Sequence, residues 1–366
     1  MSNTKKAREN QIYENYWSLT LEYTDFSDEK FNKTLELIVK YIDKYNGNIS
    51  SEIYKDLQEK LNKITPKNDM ASIRKAINQF LKLGFIYNGM KKYHRKTKEF
   101  LSEKDISRKK RIYSEILYDN ASFSRSFVNS TDTKELKFLI KTLEYCGSIT
   151  KKNLLALMYQ NINDYPKGYV TLDELKIITD EIIKNNSFER KYNQVSYLYG
   201  LCKNVLSGIY INQFGNITLD KDEQIEEFVR KGRDAYKQRL YKYDLYREST
   251  TINNKVVCYI EDISYPVLIA SHIKPYRCCD EEEKFDVDNG LLLSKNIDHL
   301  FDQGWISFND DGSILYAEKL DEKLKNKLKN YFLDKKYLSL KRISYLKYHR
   351  EKIFDKNKAY GFEFNK

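Results

Sequence analysis

The chain is 366 residues long, 41% apolar and 32% charged, with 31 Tyr and 18 Phe. That length excludes a one-core miniprotein and predicts two or three domains, and so many large apolar side chains exclude wholesale disorder. Sixty-four Lys and Arg against 53 Asp and Glu leave a net charge of +11, which fits a polyanionic partner such as nucleic acid and equally a Lys-rich coding bias.

The opening MSNTKKARENQIYENYW has no apolar signal segment, and no run of about 18 apolar residues occurs, so a cytoplasmic protein is expected. Five Cys (Cys146, Cys202, Cys258, Cys278, Cys279) with no CxxC pair predict reduced thiols and no structural zinc.

Leu35, Leu37, Ile38, Tyr41 and Ile42 recur at helical spacing within 33–47, ahead of Gly47. A second helix follows Ser50 and Ser51 near 52–63, and a third, capped by Asn68 or Asp69, runs through Ile73, Ile77 and Phe80 to Gly84. Phe85 to Gly89 reads as a strand entering a turn, which completes a winged-helix order. The pattern recurs in Leu136, Leu139, Ile140 and Leu143, where Gly147-Ser148-Ile149-Thr150 repeats the grammar of Gly47-Asn48-Ile49-Ser50. Helices are predicted at 151–160, 171–185 and 193–207, then a hairpin from Gly208 to Leu219 around Phe214-Gly215-Asn216. A plain helical bundle would show the same periodicity.

Two basic stretches stand out. Residues 91–111, where the first wing is expected, hold ten Lys or Arg against three acids, which makes Lys91, Lys92, Arg95 and Lys96 candidate phosphate contacts. Arg230 to Arg247 holds seven against two, interleaved with Tyr236, Tyr241, Tyr243 and Tyr246, and reads as a connector helix touching DNA.

The chemistry concentrates in 256–308. Val267 to Ala270 is an apolar strand ending at Ser271-His272; an acidic loop leads to Asp288-Asn289-Gly290; Leu291 to Leu293 is a second strand; Ser294 caps a helix over about 295–303 with His299 and Asp302 three apart. A hairpin of Trp305–Phe308 and Ser313–Tyr316 follows around Asn309-Asp310-Asp311-Gly312. A neutral imidazole takes a proton near physiological pH, so His272 is the candidate general base. His94 and His349 read as packing residues.

The strings Ala270-Ser271-His272-Ile273-Lys274-Pro275, Asp288 to Ser294, and His299 to Gly304 resemble the HNH endonuclease family, most closely its restriction-endonuclease members. Tyr345 to Glu351 resembles the helix that closes such domains. The resemblance covers about residues 240–366 and implies a ββα-metal fold with His272 activating water. It also implies His299 and Asn289 as holders of Mg²⁺ or Mn²⁺, with Asn289 alternatively fixing the His272 ring. Ser271 stands where the family often carries a ligand, which leaves Asp302 as a further candidate ligand. Lys274 and Arg277 are candidate phosphate contacts.

The expected fold class is α+β, mostly α: winged-helix-like modules at 1–112 and 113–228, and an HNH nuclease domain at 229–366. The expected function is a type II-like restriction endonuclease cutting double-stranded DNA, a homodimer on its target, with a methyltransferase sharing that sequence. A modification-dependent or mobile-element nuclease, and a noncatalytic DNA-binding regulator, remain open alternatives.

Overall fold

The computed structural model describes residues 17–184, 188–219, 224–225 and 232–354. The N-terminal stretch 1–16 and the first residues of the second basic stretch, Arg230 and Lys231, lie outside them. The chain divides into two compact units, Met1–Lys221 and Asp222–Lys366.

The first unit opens with α1 (Glu29–Lys44), α2 (Ser51–Ile64) and α3 (Met70–Lys82), whose N-caps Asp28, Ser50 and Asp69 each accept a backbone N–H within the first turn. Gly47 ends the first helix at φ +73, where an added Cβ would sit 2.0 Å from the Lys91 carbonyl oxygen, so this turn requires glycine. The predicted strand at 85–89 is reduced to one bridge, Ile86 to Tyr93. The first wing expected over 91–111 is instead a short helix, α4 (Thr97–Ser102), and the start of α5 (Ile106–Asn120). Phe100 and Tyr113 from these helices bury their rings against Phe31 and Phe85, with centroids 4.8–6.0 Å apart. That burial is why the segment folds inward rather than projecting.

The second half of this unit runs α6 (Glu135–Cys146), β1 (Ser148–Ile149), α7 (Lys151–Met158), α8 (Leu172–Lys184), α9 (Phe188–Asn204), β2 (Ile209–Ile211) and β3 (Ile217–Leu219). Its sheet order is β1-β3-β2, antiparallel throughout, with Ile149 opposite Ile217. The junction expected at 112/113 falls inside α5, and the Ser114 hydroxyl on that helix lies 2.9 Å from the Val205 carbonyl just beyond α9.

The second unit begins with α10 (Ala235–Asn253), followed by β4 (Ile269–His272) and β5 (Gly290–Leu293). Then come α11 (Lys295–Asp302), β6 (Ile306–Phe308), β7 (Ile314–Tyr316), α12 (Glu322–Leu328) and α13 (Leu340–Lys352). β4 and β5 pair antiparallel with His272 opposite Gly290, and β6 pairs with β7. The all-apolar run of β5 is buried on both faces, between α10 and the packing face of α11 that carries Ile297 and Phe301. The basic helix α10, expected as a connector on DNA, is largely a core element: Tyr236, Leu240, Tyr241 and Leu245 are buried on it.

α13 clamps the β4–β5 loop. Arg342, almost fully buried, donates to both Glu248 carboxylate oxygens at 3.0 and 2.9 Å, and to the carbonyls of Tyr337 (2.6 Å) and Val287 (2.9 Å). Tyr345 donates to Asp286 (2.9 Å) and Ser339 to Asp288 (2.6 Å). Among the described residues no helix is long and apolar enough to cross a membrane. Replacing Arg342 with Met removes the cation paired with the Glu248 carboxylate and one donor each from the Tyr337 and Val287 carbonyls. The unfolding free energy of the full chain should fall by about 3 kcal/mol, read as a lower urea midpoint; an unchanged midpoint would deny Arg342 this role.

Candidate functional site

The loop between β4 and β5 carries the polar signature of the sequence, and Asn289 organises it. Its side chain is fully buried: Oδ1 accepts the Lys274 N–H at 2.7 Å, while Nδ2 lies 3.0 Å from Glu283 O, 3.2 Å from Cys279 Sγ and 3.3 Å from Lys274 O. Its own carbonyl accepts from Ile273 N (3.0 Å) and Tyr241 Oη (3.1 Å). An amide committed this fully holds both ends of the loop together.

That loop carries Lys284, whose carbonyl oxygen lies 2.9 Å from His272 Nε2. A carbonyl only accepts, so Nε2 carries the proton and Nδ1 keeps its lone pair. Among the described residues Nδ1 has no hydrogen-bond partner. The imidazole is half-buried, yet protein crowds it: the Tyr241 ring stacks on one face with centroids 4.7 Å apart, and Tyr276 meets it edge-on at 5.5 Å. Burial pushes its pKa down to about 4, the Lys284 carbonyl opposing the shift and the Arg233 charge reinforcing it. At neutral pH His272 is an uncharged acceptor.

His272 lines an open cavity of about 690 Å³. Asp298 and Asp302, one turn apart on α11, line it too, as do the cations Arg233, Arg277, Lys295 and Lys352. Spacing of three and four residues puts Lys295, Asp298 and Asp302 on one helix face. His299 projects elsewhere: it is exposed and does not line the cavity. The expected metal set is therefore divided, with Asp302 lining the same cavity as His272, His299 outside, and the Asn289 amide engaged by the loop. Asp298 was missed in the sequence, although its i,i+4 spacing to Asp302 was a readable signal. Lys295 shares that helix spacing and was equally readable, whereas Arg233 and Lys352 lie on distant segments that only folding brings to the cavity.

Among the described residues no group of three or more His, Cys, Asp or Glu converges as a preformed metal cage. Two hard carboxylates on one face still fit a Mg²⁺-like ion, which characteristically takes one or two protein carboxylates and completes its shell with water and substrate phosphate.

The expected phosphate contacts also divide. Lys274 pairs with Glu283 at 2.6 Å, whereas Arg277 is exposed at the cavity. Lys96 and Arg95 pair with the buried Glu115 at 2.7 and 3.4 Å, beside Arg111. Burial raises the Glu115 carboxyl, but these three cations outweigh it and hold it down to about 2. Lys91 and Lys92 are exposed. The other two histidines considered as packing residues are buried: His94 Nδ1 lies 3.3 Å from Lys96 N, and His349 sits 3.0 Å from Ser307 Oγ and 3.1 Å from Phe301 O.

Burial lowers His94, His272 and His349 to about 4 each, against about 6.5 in an unfolded chain. Between those values the unfolded chain binds more protons, so the stability these residues contribute is fully present above about pH 6.5 and lost as pH falls towards 4. Unfolding free energy should drop over that interval, and the three Cε1 resonances should hold neutral positions at pH 6; protonated positions there would refute this.

Residues 256–309 match the family described as HNH endonuclease. No curated protein matches the chain.

Proposed function

We propose, with an HNH endonuclease segment at 256–309 as premise, that this chain is a site-specific endonuclease hydrolysing double-stranded DNA with His272 as general base. The carrying observation is the Nε2 contact to Lys284 O, which leaves the Nδ1 lone pair of a neutral imidazole available beside a cavity edged by cations. In this reading Nδ1 takes a proton from water, the water oxygen forms a new bond to phosphorus, and the bond to the leaving oxygen breaks. Arg277, Lys295 and Lys352 meet DNA phosphates.

HNH nucleases generally use divalent metals such as Mg²⁺. Asp298 and Asp302 are the residues that would hold such an ion, in place of His299 and Asn289, and when bound it neutralises charge on the phosphate and leaving oxygens.

The restriction-enzyme reading is supported by a second chain unit ahead of the nuclease segment. There, one helix, a strand, three helices and a hairpin in the sheet order β1-β3-β2 support reading a winged-helix-like recognition module, with Lys91 and Lys92 exposed elsewhere on that unit for phosphate contact. One such site acts on one strand at a time, so this reading calls for a second copy on the target or sequential nicking, and for a methyltransferase that protects the same sequence.

His272→Ala should slow Mg²⁺-dependent nicking of supercoiled plasmid by about 10²–10⁴-fold while DNA affinity stays within about twofold, since the proton acceptor acts in the transition state. Normal nicking by this variant would reject the mechanism. Asp298→Asn and Asp302→Asn should each weaken Mn²⁺ binding by about tenfold or more, followed by electron paramagnetic resonance, with His299→Ala unaffected; the reverse pattern would return His299 to the metal.

A further inference from the structure

Tyr241 belongs to α10, outside the residues that match the family, yet among the described residues its ring lies nearest the candidate base. Its ring lies 4.7 Å from the imidazole with planes 21° apart, fully buried. Its hydroxyl donates to Asn289 O at 3.1 Å and lies 3.5 Å from Ser271 O, spanning β4 and β5 beside the His272–Gly290 pair. Gly290 belongs to the same device: a Cβ there would sit 2.3 Å from Tyr241 Oη. Burial raises the phenol well above its ordinary range, so the hydroxyl stays a donor.

Other groups also face His272 or its cavity. Arg233, itself 4.3 Å over the Tyr276 ring, disfavours positive charge on the imidazole; Tyr276 presents an edge-on ring; Lys284 gives its carbonyl; Arg277, Lys352 and, from α11, Lys295, Asp298 and Asp302 line the cavity. A base in such crowded surroundings must still carry a proton once it has acted. The negative face of a stacked aromatic ring stabilises that cation.

We propose that Tyr241 is a positioning residue for His272: its ring face stabilises the imidazolium formed when Nδ1 takes the water proton, and its hydroxyl fixes the strand pair from which the imidazole projects. The inference rests on the reading of His272 as base, and the experiment separates the two.

In the full chain, Tyr241→Phe serves as reference, expected to nick supercoiled plasmid with Mg²⁺ about threefold more slowly for loss of the hydroxyl tie. Phenylalanines carrying one, two and three ring fluorines are then placed at position 241, which drains the ring face of negative charge while nearly preserving its shape. The rate should fall stepwise by about tenfold across the series, with plasmid affinity and thermal midpoint unchanged, a pattern that a purely structural role would not produce. A flat series alongside an inactive His272→Ala protein would overturn the role of Tyr241 alone. An active His272→Ala protein would overturn the reading of the base itself.

Discussion

The contact between His272 Nε2 and the Lys284 carbonyl is the constraint on which the site depends. It selects one imidazole tautomer, and a base with its lone pair on Nε2 would have nothing to accept but a carbonyl that cannot donate. The carbonyl is held in turn by Asn289, whose buried amide spans the loop, and by Arg342 and Tyr345, which fasten residues 286 and 287 to α13. A loop rich in charge would otherwise sample many conformations; here several of its carboxylates serve as turn caps and ion-pair partners. Asp280 accepts two backbone N–H groups of its own turn, and Glu283 pairs with Lys274. The acidic stretch thus orders itself.

Basic residues divide by the same logic. Lys96, Arg95 and Arg111 converge on one buried carboxylate and hold α5 to the segment before it, so their charges are consumed within the fold. Lys91, Lys92, Arg277, Lys295 and Lys352 are exposed and form no ion pair among the described residues, so these can neutralise a polyanion. Net charge therefore overstates the surface available to phosphate.

Local pattern carried the elements and tertiary packing overruled it at the first wing. Helices at 29–44, 51–64 and 70–82 were legible because caps and apolar spacing agree. The strand–loop–strand–helix order around His272 was legible because His, Asn and Ser-capped helix coincide with apolar runs. The first wing was misread because charge masks the buried rings of Phe100 and Tyr113, and the helix expected after Arg230 is present as α10, with Tyr236 and Tyr241 turned to the core. Tyr241 and Arg233 precede the matched segment, where no motif marks them.

The sequence by itself determined the class of chemistry: a histidine ending one short strand, an asparagine opening the next and a capped helix are local features set by a few neighbouring residues. The three-dimensional arrangement decided which groups share the cavity. Rotation of 100° per residue along α11 separates His299 from Asp298, and which side of the helix meets the cavity is settled by the burial of Ile297 and Phe301. Convergence of α10 and the β4–β5 loop on one imidazole, and of α11 and the end of α13 on its cavity, is a product of packing over more than 100 residues, and no local periodicity encodes it.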